Sequence, residues 1–286
     1  MKPLPTAFLV LAGAAACASA PPPAPASPPP AAPAPPPSAP PDEATVDRFF
    51  EAVQGGKRDD VDHLLAASPA LASASSRKGH SAFLVALFKQ VGEGFLKPQD
   101  NPVLASILAH APQLDAVEAA GAGDQARVET ELRRDPGYVR RVHPIGWTPL
   151  HFAAFCNAVA VGEALLAHGA DVNARAQNDF QNTPLQVALL TGQEGMVRLL
   201  LLRGADVNVR QGEGFIALHE AAQSGDVALV KLLLDAGSEV SVAGGKKHLS
   251  PLDVAIEAKR DEVVALLRAR GAKETAGVAS EAPKTR

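Results

Sequence analysis

Aromatic residues are scarce in this sequence, with one tryptophan, one tyrosine and ten phenylalanines in 286 residues. Sheets draw on aromatic and β-branched side chains, whereas short helices draw on alanine and leucine, which are plentiful here. The composition therefore predicts an all-α chain. Cysteine is rarer still: beside Cys17 there is only Cys156, set among apolar residues as an inert core thiol. Enzymatic signatures are missing too. There is no HExxH, no paired CxxC, no glycine-rich phosphate loop after a strand and no GxSxG. The histidines fall in different parts of the chain without metal-ligand spacing. No catalytic residue, metal, cofactor or small-molecule substrate is therefore assigned. A formal net charge of -4 lacks the basic footprint that nucleic acid selects.

The two ends differ from the middle. The opening "MKPLPTAFLVLAGAAACASA" carries one lysine and an apolar run from Ala7 to Ala16, too short to span a bilayer, followed by small residues, as in an export signal. Two cleavage sites compete. Cutting after Ala20 would put Pro21 beside the scissile bond, where its ring and missing N–H suit an extended protease substrate poorly. The other site precedes Cys17, where "LAGAAAC" resembles a bacterial lipobox with Ala14 in the place of the usual leucine. That resemblance implies a lipidated Cys17, a signal peptide over 1–16, and a periplasmic or outer-membrane lipoprotein; the simple signal implies a secreted one. Proline, alanine and serine without charge fill Pro21 to Pro41, so residues 17–44 form an extended tether. The repeat domain covers 45–274, and 275–286 is a tail without apolar periodicity.

Between these ends the chain repeats itself. "GWTPLHFAAF" at Gly146 returns as "QNTPLQVALL" at Gln181, "GFIALHEAAQ" at Gly214 and "HLSPLDVAIE" at His248, a period of about 34. Counting back and forward gives helix starts at Asp47, Ser81, Asp115, Thr148, Thr183, Ile216 and Ser250. All but Ile216 are helix-capping residues, whose side-chain oxygen accepts from an orphan amide of the first turn. Pro149, Pro184 and Pro251 take the first helical position, where a missing N–H costs nothing. Glu118 completes a capping box with Asp115. Without a capping side chain, the helix after Ile216 should start less sharply. A leucine-rich second helix follows in each unit and ends at Gly169, Gly204, Gly237 or Gly271. Helices this short persist only by burying a face against the neighbouring unit.

"TPLHFAA" and "LLAHGADVN" resemble ankyrin repeats, strongly from Gly146 to Ala272 and more weakly over three preceding units. The resemblance implies an all-α solenoid of about seven helix pairs and a protein-binding function. It gives His151 and His219 a structural role: the equivalent positions carry Gln186 and Asp253, which no shared catalytic mechanism tolerates. It also puts the residues before each cap, Trp147, Asn182, Phe215 and Leu249, on the concave face. These are expected to be exposed anchors for a protein partner, or else to pack on their own hairpins. A second pattern, Arg140 and Arg141, then Arg175, Arg210, and Lys246 with Lys247, recurs near the repeat period. Stacking would line it along one basic edge that steers an acidic partner, or simply faces solvent. Two roles fit: an envelope scaffold, or an inhibitor or immunity-type lipoprotein that blocks an envelope enzyme or toxin.

Overall fold

Short alanine- and leucine-rich helices bury little surface alone, so the repeats stack. The computed structural model describes residues 40–91, 94, 95, 97–110 and 112–275. The export signal, Cys17, the tether up to residue 39 and the tail beyond 275 lie outside the described residues.

Among the described residues seven helix pairs follow one another. The first three are α1 (Glu43–Gly55) with α2 (Arg58–Ala67), α3 (Ala82–Leu87) with α4 (Pro102–Ala109), and α5 (Glu118–Gly121) with α6 (Gln125–Arg134). The four regular pairs are α7 (Pro149–Phe155) with α8 (Val159–Ala167), α9 (Pro184–Leu190) with α10 (Glu194–Leu202), α11 (Ala217–Ser224) with α12 (Val227–Asp235), and α13 (Pro251–Glu257) with α14 (Asp261–Ala269). One apolar core runs from Phe49 to Ala272. Lys259, Asp261, Glu262 and Arg268 are exposed on the last pair, while Arg260 and Arg270, also exposed, bond back to Gln223 O and Asp235 of the pair before.

Two local expectations are corrected. Asp47 does not cap α1: the helix begins earlier, capped by Asp42, whose Oδ1 accepts from Thr45 N at 2.7 Å. A period counted back from regular repeats misses the start of a longer terminal helix, and Asp47 instead accepts from Arg77 Nε at 3.0 Å. The helix after Ile216 starts as sharply as its neighbours, because His219 Nδ1 takes the Ile216 amide at 3.1 Å in place of a side-chain cap. The long segment within the second repeat folds as a two-stranded antiparallel hairpin, β1 (Gln90–Val91) with β2 (Gly94–Phe95), and a 3-10 turn at Pro98–Asp100. Asn101 closes it, accepting from Val103 N and Leu104 N at 3.1 Å and donating to Ala86 O at 2.8 Å.

The third repeat is thin. Helix α5 contributes buried Glu118, Ala119, Ala120 and Gly121, and a Cβ on Gly121 would meet Phe152 and Cys156 at 3.3 Å. The Cys156 thiol is free, and burial pushes its pKa up, which suits a packing group. Behind α5, fully buried Tyr138 donates its hydroxyl to Ala116 O at 2.6 Å. Small residues at this level let the aromatic side chains of repeats two and four meet.

Candidate functional site

The third residue of each regular first helix works as a lock. Thr148 N and Thr148 Oγ1 donate to His151 Nδ1, at 3.3 and 2.7 Å, and His151 Nε2–H donates to Asn182 O at 3.0 Å in the next repeat. Gln186 does the same with an amide: its Oε1 accepts from Thr183 N at 2.9 Å and its Nε2 donates to Phe215 O at 3.3 Å. His219 Nε2 donates to Leu249 O at 3.1 Å. Asp253, in the last repeat, accepts from Ser250 N at 2.8 Å and from Thr275 N at 3.2 Å. A donor tip is used where the partner is a carbonyl of the next repeat, and a carboxylate where the partner is the amide of Thr275. Burial holds His151 neutral by lowering its pKa to about 4, and lowers that of His219 as well. Burial alone would raise the Asp253 carboxyl; the bonds from Ser250 and Thr275 outweigh it and bring its pKa below the usual value.

These locks bring the hairpins into register, where backbone joins them directly. Gln177 N donates to Gly146 O, Gly212 N to Phe180 O and Gly245 N to Glu213 O, all within 2.7 to 2.8 Å. Gly146 adopts φ +89°, and a Cβ there would lie 2.5 Å from Gln177 O, so glycine is required for the hairpins to approach.

Along the concave side lies a groove of about 590 Å³. Phe88, Trp147 and Phe155 wall one end, Phe180, Leu190 and Phe215 the middle, and Glu220, Gln223 and Val254 the other end. Phe180 is 63 % exposed and Leu190 40 % exposed.

The expected row of exposed anchors is corrected. Trp147, Asn182 and Leu249 are buried, at 8 %, 8 % and 7 % exposure, and Phe215 is half-buried. Trp147 is held by rings from two repeats: its centroid lies 5.1 Å from Phe88, 5.3 Å from Phe152 and 5.4 Å from Phe155. Phe215 packs on Gly244 and Gly245 of the next hairpin, where an added Cβ would meet its ring. Trp147, Asn182 and Phe215 nevertheless line the groove; Leu249 pairs with Gly244 in its own hairpin.

The basic side chains are mostly engaged. Arg141 bonds Asp135 at 2.8 Å and Glu131 at 3.3 Å, and Lys247 pairs with Glu257 at 3.2 Å. Arg175 donates to Arg210 O at 2.7 Å, and Arg210 to Ala243 O at 3.1 Å, so these two staple adjacent hairpins. Arg140 and Lys246 are exposed. The edge carries less unbalanced charge than the sequence pattern suggests.

Sequence reasoning passed over Phe180, Leu190 and Glu220. A signal existed for Glu220: it occupies the place of Phe152, Val187 and Val254 in the other regular repeats, a carboxylate where the unit has an apolar residue. Burial pushes its pKa up to about 8. Phe180 offered a weaker one, an aromatic at a hairpin tip between Asp179 and Gln181.

No group of three or more histidine, cysteine, aspartate or glutamate side chains among the described residues is placed to hold a metal ion. No helix among them is long and apolar enough to cross a membrane. No curated protein matches the sequence. A family model for ankyrin repeats (three copies) matches residues 116–211 and 201–276, more than half the chain and reaching one repeat further toward the N-terminus than the strongest sequence motifs. Such repeats are protein-interaction modules. The helix pairs, the locks between them and this match together show that the chain belongs to the ankyrin-repeat family.

Proposed function

We propose that the protein is a non-enzymatic scaffold or adaptor that binds a partner protein in its concave groove and is held at the bacterial envelope by a lipid on Cys17. The observation that carries the binding half is the groove itself, where Phe180 and Leu190 keep large apolar surface in water beside ordered aromatic walls. Exposed apolar groups gathered in one concavity favour a partner that covers them. Anchorage rests on the lipobox-like run before Cys17 and the proline-rich spacer after it. Diacyl chains contribute roughly 0.8 kcal/mol per buried CH₂, which makes a stable anchor.

Two experiments test the halves separately. Cys17→Ser should move the protein from the membrane fraction to the soluble fraction; unchanged membrane association contradicts the anchor. Capture of envelope proteins with the full chain, beside a Phe180→Ala, Leu190→Ala double variant, should recover a partner that the variant loses. Equal recovery by both contradicts the groove as the binding surface. One tight partner would favour the inhibitor role, several weaker ones the scaffold.

A further inference from the structure

Two acceptor oxygens of the groove residues lack donors. Asn182 Oδ1 and Glu220 Oε2 are sealed from solvent and have no hydrogen-bond partner among the described residues. Asn182 is only 8 % exposed, and its carbonyl accepts from His151 while its side-chain oxygen is left over. An unpaired buried acceptor is costly until a donor reaches it.

The groove also lacks a cation. Its ionisable lining residues are Glu213, Glu220 and His219, and His219 spends both ring nitrogens on Ile216 and Leu249. No arginine or lysine is among the lining residues; Arg175 is spent on Gln181 and Arg210 O, and Arg210 on Gly214 O and Ala243 O. Aromatic faces stand beside the carboxylates, with Phe180 exposed and Phe215 half-buried. Burial keeps Glu220 largely protonated at pH 7 in the empty groove, and a cation beside it would ionise it. Carboxylate, amide oxygen and aromatic ring together then suit a planar, weakly hydrated cation with several N–H donors, a guanidinium rather than an ammonium.

We infer that the partner inserts an arginine, carried on an apolar segment, into the groove, where the guanidinium stacks on Phe180 or Phe215 and donates to Glu220 and Asn182 as these two side chains turn toward it. The apolar flanks of that segment cover Leu190 and the Phe88, Trp147 and Phe155 wall. The inference rests on the reading of this groove as the protein-binding surface and adds the chemistry of the occupant.

Trp147 is the sole tryptophan and lines the groove, so its fluorescence reports occupancy in the full chain. The probes are capped pentapeptides Leu-Ala-X-Ala-Leu, with X as arginine, lysine, norleucine or glutamate. The arginine peptide should bind about tenfold more tightly than the norleucine peptide, with lysine between them and glutamate weakest. Glu220→Gln should reduce the arginine preference to about threefold or less while leaving the norleucine affinity unchanged. Phe180→Ala, at an exposed position that does not support the core, gives a second check and should weaken arginine binding about threefold. Equal affinity for arginine and norleucine, or a preference that survives in both variants, overturns the inference while leaving an apolar protein-binding groove. Failure of every peptide also overturns it, and the capture experiment with the full chain then decides whether the groove binds protein at all.

Discussion

Repeats four to seven and repeats one to three solve the same stacking problem in different ways. In the later repeats one side chain per unit, His151, Gln186, His219 or Asp253, holds the cap amide, and the first three reach the next repeat. The connection is polar, local and periodic. Among the described residues of the earlier repeats no such series exists. Asp47 meets Arg77 on the surface, Glu118 takes the Ser81 hydroxyl at 2.6 Å and the Asp115 amide at 3.1 Å, and Phe88 packs across thin α5 onto Trp147 and Phe155. A repeat can therefore diverge if packing replaces the lock. The join between the two regimes is where the groove begins.

Breaking the join should have the largest effect. Trp147→Ala removes a buried ring that three phenylalanines enclose, and should lower stability by about 3–5 kcal/mol in urea unfolding. A loss below about 1 kcal/mol would mean that the two regimes are not coupled through this ring.

Acid separates the regimes next. His151 is held neutral with a pKa of about 4 against an ordinary 6.5. The unfolded chain binds the proton more readily, so stability from this group is present above pH 6.5 and is lost as pH falls through about 4. The full loss is about 3 kcal/mol, with His219 acting in the same direction. Hydrogen exchange followed from pH 7 to pH 4 should show repeats four and five, around His151, opening before repeats one to three, while in repeat six Glu220, whose raised pKa favours the protonated fold as pH falls, offsets the loss from His219. In His151→Gln, which copies the lock of Gln186, this acid sensitivity should shrink while stability at pH 7 stays within about 1 kcal/mol. Uniform opening along the chain would contradict the contrast.

Two smaller changes sharpen it. Thr148→Ala removes the hydroxyl that donates to His151 Nδ1 and should cost about 1 kcal/mol. Arg175→Ala cuts one exposed staple between hairpins and should cost about 0.5 kcal/mol, measured in the same denaturant series. A larger effect from Arg175 than from Thr148 would place the connection between repeats in the hairpins instead of the locks.

What was legible in the sequence was what is made locally. Thr183, Ser250 and Ser81 cap as read, since cap and amide lie within a few residues of one another. Gly169, Gly204, Gly237 and Gly271 all take the left-handed conformation that ends a helix. Asp47 was misread because a periodic count carries no information about how far a terminal helix extends. Trp147 was misread because its exposure depends on Phe88, which is 59 residues away in sequence and reaches it only because α5 is built of small residues. The binding wall was the least legible part. Phe180 and Glu220 stand out only against the other repeats, and neither signals alone that stacking places both in one groove.

The most direct test of the central claim, that the concave groove is the working surface, is hydrogen exchange of the full chain with and without its captured partner. Protection concentrated in the hairpins around 176–182 and 211–215 and at the ends of α7 and α9 is the predicted result. Protection on the outer helices, around the exposed Leu202 of α10, with the groove unchanged, would contradict it.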